Sequence, residues 1–347
     1  MTYRKVGVPA LYEPALDLTE TLEAVDLVCE VFEHQLRDRL DLLPVPAPHF
    51  VRGGTGINDD LNGVEQPVVF RVRGLEEAPC EVPQSLAKWK RLALGELGFT
   101  AGRGIYTRMN ALRPDEHIDP LHSVYVDQWD WEQVIDPSDR DLTCLMGLVE
   151  ELYGALRVTE RELRKRFPSL EPILPERVEF MHAADLAEAY PDLSPDRRED
   201  RAARQSGAVF IIGVGAPLGD GRPHGGRAPD YDDWITPNGR GLGLNGDLIV
   251  WHRPLDRALE LSSMGIRVDA PTLQEQLRIC GVPERSELDF HRRLLEGRLP
   301  QTAGGGIGRS RVCMYLLRKA HIGEVQASVW PDAMRAECAR LGIRLLP

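Results

Sequence analysis

The chain has 347 residues, 42% of them hydrophobic and 28% charged, with a formal net charge of −12 and a pI near 5.3. That profile is globular rather than disordered, and its acidity argues against affinity drawn mainly from nucleic-acid backbones, while leaving room for a small phosphorylated ligand gripped by a few arginines. No run reaches the ~18 apolar residues that a membrane span needs, and six scattered cysteines without a CxxC spacing or an N-terminal signal sequence lead to the expectation of free thiols in a reducing cytoplasm.

Residues 17–40 predict a helix. Asp17 can cap it with Glu20 three places on, and Leu18, Leu22, Val25, Val28, Phe32, Leu36 and Leu40 recur at helical spacing. Pro44, Pro46 and Pro48 in "LPVPAP" (43–48) end that helix and suit an extended edge segment. "QPVVFRVRG" (66–74) alternates like a half-buried strand, and "SLAKWKRLALG" (85–95) predicts a short amphipathic helix closed by Gly95.

The next segment, "RPDEHIDPLHSVYVDQWDW" (113–131), poses a question. After a breaker-rich connection it alternates, with Val124, Val126 and Trp129 one way and Tyr125, Asp127 and Gln128 the other. Carboxylates such as Asp127 and Asp130 on a covered sheet face cost several kcal/mol unless paired. The segment is therefore either a solvated edge or the lining of a polar cavity.

Residues 141–166 predict a long helix. "GAVFIIGVG" (207–215) and "DLIVW" (247–251) predict central strands, and 271–280 and 286–296 predict helices, the second capped by Ser286. "GGGIG" (304–308) then runs into the arginine-bearing helix start "RSRVCMYLLRK". Strands and helices mix without a strict βαβ rhythm or a linker, which favours one domain over 1–347 built on a mixed sheet flanked by helices.

Several residues carry candidate chemistry. The glycine run fits neither the dinucleotide fingerprint nor the P-loop. It still permits close backbone approach beside Arg311, as a phosphate grip or as a sharp turn with solvated arginines. Asp232 and Asp233 in "APDYDDW" (228–234) have solvent as their default. Asp247 and Glu260 stand at the rims of two strands, suited either to Mg²⁺ with phosphate oxygens or to strand-end salt bridges. Of Lys88, Lys90 and Arg91, one is granted a role. The nine histidines, His122 among them, show no HxH or HExxH spacing for zinc.

Taken together, "INDDLNG" (57–63), "SLAKWKR" (85–91), "ALRPDE" (111–116), "PLHSVYVDQWDWE" (120–132), "RAPDYDDW" (227–234), "LNGDLIVW" (244–251), "ELSSMGIRV" (260–268) and "PQTAGGGIGRSR" (300–311) resemble the ammonia-dependent asparagine synthetases, the aspartate–ammonia ligase family. The resemblance implies an α+β fold like the catalytic domain of class II aminoacyl-tRNA synthetases: a mixed, mostly antiparallel sheet flanked by helices. It also implies a cytoplasmic homodimer whose interface includes Asp17–Pro48. "RPDE" resembles the second motif of that class and "GGGIGRSR" the third. The polar strand would then line an aspartyl-adenylate pocket.

The implied reaction joins L-aspartate and ammonia at the expense of ATP, releasing AMP and diphosphate, with Mg²⁺ as cofactor. By the same resemblance Arg113, Asp59 and Gln128 serve catalysis. Lys90, Asp130, Ser262 and Ser263 hold aspartate, while Arg113, Glu116, Asp232, Arg267, Gly306, Gly308 and Arg311 bind ATP, and Asp247 and Glu260 bind the metal. Gln84 departs from the family's usual histidine before "SLAKWKR". Neither a nucleic-acid nor a membrane partner is expected: the chain leaves no segment for an anticodon-binding domain. The rivals are an RNA-binding synthetase and a non-catalytic regulatory relative. A glutamine-dependent enzyme is disfavoured, since such machinery commonly begins with a nucleophilic cysteine and residue 2 is Thr.

Overall fold

A capping box opens the first helix, α1 (Leu18–Leu40): Asp17 accepts from the Glu20 N–H and the Glu20 carboxylate from the Asp17 N–H, each at 2.9 Å. These coordinates, a computed structural model, describe residues 12–59, 61, 65–75 and 77–347, so Thr2 and part of "INDDLNG" lie outside the described residues. Val28, Phe32, Leu36 and Leu40 turn inward as their spacing requires. The first turns differ: Thr21 and Ala24 are buried, whereas Leu18 and Leu22 are 39% and 49% exposed.

Strand β1 (Leu42–Pro44) lies at the sheet edge, as its prolines predict. β2 (Val51–Arg52), β3 (Val69–Phe70) and β4 (Cys80–Glu81) form a separate three-stranded ribbon. Only two residues of the strand expected over 66–74 pair, because its alternation has little core to face: Val69 is 54% exposed. α2 (Ala87–Leu97) continues through Gly95 and ends at Gly98, whose φ of 70° is the left-handed conformation a helix stop needs.

β5 (Gly104–Leu112) and β6 (Tyr125–Val134) follow, then α3 (Leu142–Arg166), β7 (Glu179–His182), α4 (Ala183–Ala189), α5 (Pro195–Ser206) and β8 (Ala208–Ile212). Next come β9 (Asn245–His252), β10 (Arg257–Ile266), α6 (Ala270–Ile279), α7 (Asp289–Leu295), β11 (Thr302–Gly308), α8 (Arg309–Leu316) and α9 (Asp332–Arg340). Ser286 does not cap α7: it lies in the preceding turn, where its hydroxyl donates to the Pro283 carbonyl at 2.7 Å.

The main sheet has the order β1-β5-β6-β11-β10-β9-β8-β7, with parallel pairs only at its two edges and antiparallel pairs elsewhere. The expected fold class is thus found. One face packs on α1 and α3 through a core that contains Phe32, Trp129, Trp131 and Leu152, the rings of Phe32 and Trp129 standing 4.5 Å apart. α2 covers the opposite face, where Leu86 and Leu94 meet Met109, Val126 and Val134. Between those apolar contacts the second face is polar.

His252 and His321 sit in the core, 1% and 0% exposed, and burial lowers both imidazoles from 6.5 to about 4. As the pH falls the unfolded chain takes up these protons first. The stability contributed by each neutral ring is therefore complete above about 6.5 and is lost as the pH falls to about 4, a shift corresponding to roughly 3 kcal/mol. The urea midpoint is expected to fall over that range. His252→Gln, which keeps a donor for the Lys319 carbonyl that His252 Nε2 contacts at 2.9 Å, should flatten the fall. An unchanged slope in that variant would refute the assignment.

Candidate active site

Strand alternation and the β6 register answer the question raised by residues 113–131. Trp129 and Trp131 enter the apolar core, so Gln128, Asp130 and Glu132 point to the opposite, α2-covered face. Asp127 does not share the Gln128 side, as expected from sequence, but that of Trp129. There it accepts from the Arg309 Nε at 2.9 Å, the Ser310 hydroxyl at 2.8 Å and the Gln326 amide at 3.1 Å. Gln128 and Asp130 line a cavity of about 440 Å³ that opens over the middle of the sheet.

Beneath that cavity lies a buried charge network. The Lys90 ammonium is 0% exposed and donates to Asp130, to the Trp131 carbonyl at 2.7 Å and to the Gly305 carbonyl at 3.4 Å. Arg267 grips Glu132 through Nε at 2.9 Å and Nη2 at 2.8 Å, and also donates to Asp232. Thr302 donates to the same Glu132 carboxylate at 2.7 Å. Burial pushes Asp130 up, and Lys90 offsets this only in part. Glu132 meets the same burial, yet Arg267 and Lys90 together hold it below its ordinary range.

The cation-bearing helix, of whose three charges one is granted a role from sequence, buries all three. Lys88 pairs with Asp230 at 2.9 Å, and Arg91 donates to the Pro300 and Val268 carbonyls at 2.8 and 2.7 Å. Asp232 and Asp233 are likewise buried rather than solvated. The Asp233 carboxylate accepts from Arg140 and from the Ile235 and Thr236 N–H groups, which fixes the turn that follows.

Glycines 304–308 form a central strand, not a turn, and their bareness has a direct use. A Cβ at Gly304 would stand 2.0 Å from Glu132 Oε2, and one at Gly306 2.5 Å from Gln128 Oε1. Carboxylate and amide thus lie across the backbone of β11. Arg311, in the first turn of α8, donates to the Glu260 carbonyl at 3.0 Å, with the Glu260 carboxylate 3.6 Å away. Across the cavity Arg113 Nη2 donates to the Gln84 carbonyl at 3.3 Å, while its Nε is buried without a partner. Glu116 follows Arg113 in a turn closed by a 3.1 Å bond and also lines the cavity.

Other candidates fall elsewhere. A bulge between Glu260 and Ser262 changes the β10 parity, so that Glu260 faces Ile249 and Ser263 faces Asp247 on one side of the sheet. Ser263 lines the cavity, whereas Ser262, opposite Leu248 and Ile307, points into the core and is not brought to the site. Lys90 supports Asp130 from below without lining the cavity. Asp59 does not join Gln128 either: it lines a second cavity of about 240 Å³, separated by Gln84, whose Nε2 donates to the Asp59 carbonyl at 3.1 Å.

Asp247 and Glu260 stand on the same side of neighbouring strands. Burial pushes Asp247 up to about 6; Arg227, which donates to it, opposes the rise, and Glu260 adds to it. Two neighbouring carboxylates offer hard oxygens to a divalent cation that takes its remaining ligands from phosphates. No cluster of three His, Cys, Asp or Glu that could hold a metal occurs among the described residues.

Reading the sequence missed Glu132, Arg227 and Asp230, the partners of Arg267, Asp247 and Lys88. Glu132 and Arg267 are 135 positions apart and meet only through the sheet. Arg227 lies 20 positions from Asp247, and nothing in "RAPDYDDW" (227–234) marks it as that residue's partner.

The model of the aspartate-ammonia ligase family matches residues 19–342. A Parabacteroides distasonis aspartate–ammonia ligase is 50% identical over 97% of this chain and 98% of its own length, and one from Clostridium perfringens 49% identical over 99% of each. Among solved structures, the chain is similar to Pyrococcus horikoshii asparaginyl-tRNA synthetase complexed with asparaginyl-adenylate. The TM-score is 0.65 at 14% identity, over 90% of this chain and 70% of that one. An aspartyl-tRNA synthetase from Entamoeba histolytica gives 0.60 at 16% identity, over 88% of this chain and 57% of that one. These likenesses show the fold.

Proposed function

This chain belongs to the aspartate–ammonia ligase family, ATP-dependent enzymes that form L-asparagine from L-aspartate and ammonia, and we propose that it does so through a β-aspartyl-adenylate with release of AMP and diphosphate. One observation carries the reading: a single cavity brings Arg113, Gln128, Asp130, Glu260 and Arg311 together over a bare glycine strand. A carboxylate is a poor acceptor for ammonia because oxide would have to leave. Attack of the aspartate side chain on the α-phosphorus turns the leaving group into AMP.

In this reading Arg113 aims its unpartnered Nε at the α-phosphate and the activated carboxylate, and Arg311 grips the outer phosphates. Gly306 and Gly308 let the nucleotide approach the backbone, and Glu116 lies beside it. Asp232 and Arg267 reach it only with groups their mutual pair leaves over. Asp130 and Ser263 hold the charged groups of aspartate, with Lys90 as a positioning residue. Asp130 and Asp232, both lining the cavity, offer carboxylate oxygens to an incoming α-ammonium. Asp247 and Glu260 would hold Mg²⁺, which when bound neutralises phosphate charge. Gln128 meets the nucleophile at the carbonyl, and Asp59 serves it from the neighbouring cavity.

The single domain is proposed to act as a homodimer in the cytoplasm. Exposed Leu18 and Leu22 on α1 and Leu43 on β1 are the apolar surface that pairing would cover. Light scattering at micromolar concentration is expected to give twice the chain mass, and a monomer would contradict it. No helix among the described residues is long and apolar enough to cross a membrane. Product analysis tests the reaction: ATP, aspartate and ammonium should yield asparagine, AMP and diphosphate, and glutamine should not replace ammonium. Release of ADP and orthophosphate would refute the adenylate route.

A further inference from the structure

The second cavity has features that adenylate formation does not use. Asp230 and His291, both 0% exposed, stand on its wall joined by a 3.0 Å contact between Oδ2 and Nε2. Lys88, from α2, donates to the same oxygen at 2.9 Å, and Arg285, from the turn before α7, stands 3.8 Å away. Burial alone would raise Asp230, but Lys88 and His291 hold it well below the usual carboxylate range. An ionised Oδ2 requires Nε2 to carry a hydrogen, so in the neutral ring Nδ1 is the nitrogen that keeps a lone pair.

That Nδ1 is buried without a partner, as is Oδ1 of Asp230. Gly56, which lines the same cavity, packs close to this edge of the ring: a Cβ there would stand 3.0 Å from Nδ1 and 2.9 Å from the Leu288 Cβ. Asp59, Glu65, Glu81 and Asp230 line the cavity together with Arg52, Lys88, Arg285 and His291. Gln84 stands between the two cavities. Its amide donates to Asp59, its backbone carbonyl accepts from Arg113, and its Oε1 is buried without a partner. Unpartnered acceptors from one cavity to the wall of the other suit a small ligand that only donates.

We propose that the second cavity receives ammonium and that the Asp230–His291 pair removes its proton before it reaches the adenylate. This rests on the synthetase reading above. His291 Nδ1 takes one proton from ammonium, leaving neutral ammonia and an imidazolium neutralised by Asp230. The ammonia lone pair forms the N–C bond, the C–O bond to AMP breaks, and the nitrogen sheds its surplus proton to solvent as the amide forms. His291 returns its own proton to solvent through the cavity.

The test compares nucleophiles in His291→Gln. At neutral pH hydroxylamine is already uncharged and needs no proton acceptor. Ammonium-dependent synthesis is expected to fall about a hundredfold, the usual scale for a lost general base, and to recover as rising pH supplies free ammonia. Hydroxylamine-dependent product and the exchange of diphosphate into ATP should stay near wild type. Equal losses with both nucleophiles, a parallel loss of exchange, or unchanged ammonium kinetics would overturn the proposal. Failure of the wild-type enzyme to use ammonium would instead overturn the reaction itself.

Discussion

Replacing Arg113 by alanine is expected to slow aspartate-dependent exchange of labelled diphosphate into ATP about a hundredfold, with a much smaller loss of aspartate affinity. The guanidinium already rests on the Gln84 carbonyl, and its buried Nε is free for charge that develops on phosphorus. One preorganised donor of this kind is worth ~3 kcal/mol in the transition state. Arg113→Lys should recover little, because an ammonium cannot reproduce the planar fork. Gln128→Ala should leave exchange intact and slow the ammonia step, since its amide lies across β11 and faces the nucleophile. Normal exchange in Arg113→Ala, or its abolition in Gln128→Ala, would reverse these assignments.

The largest loss of stability is expected for Arg267→Met. The side chain is 2% exposed and holds two carboxylates, Glu132 through two nitrogens and Asp232 through a third. Removing it strands both in a buried site, where breaking an ion pair costs roughly 3–5 kcal/mol. The urea midpoint should fall accordingly, and Arg267→Lys should restore little of it, since a single ammonium cannot span both Glu132 oxygens. A wild-type midpoint in Arg267→Met would mean that the network does not stabilise the fold.

What could be read in advance was local. The Asp17–Glu20 box and the prolines after α1 act within a few residues of themselves, so spacing exposes them. Parity failed wherever something non-local intervened. The bulge in β10 turned Ser262 inward and Ser263 outward, and nothing in "ELSSMGIRV" marks where a strand gains a residue. Asp127 was placed with Gln128 because the strand was read without strict alternation. Gly95 looked like a helix stop because packing against Pro300, which favours a residue without a side chain, cannot be seen in the chain. His291 looked like one scattered histidine among nine, because its partner Asp230 lies on a distant loop.

β11 puts four glycines into seven residues at the middle of the sheet. Each leaves more freedom in the unfolded chain than alanine would, and in a strand interior the difference is roughly 0.5–1 kcal/mol, or roughly 2–4 kcal/mol for the four. Thermostability and activity therefore compete for this strand. Filling it with β-formers, the ordinary route to a sturdier sheet, would displace the Gln128 amide and the Glu132 carboxylate together. An engineer seeking a more heat-resistant enzyme has room at exposed, unspecialised positions such as Val329, 77% exposed, and almost none at residues 304–308.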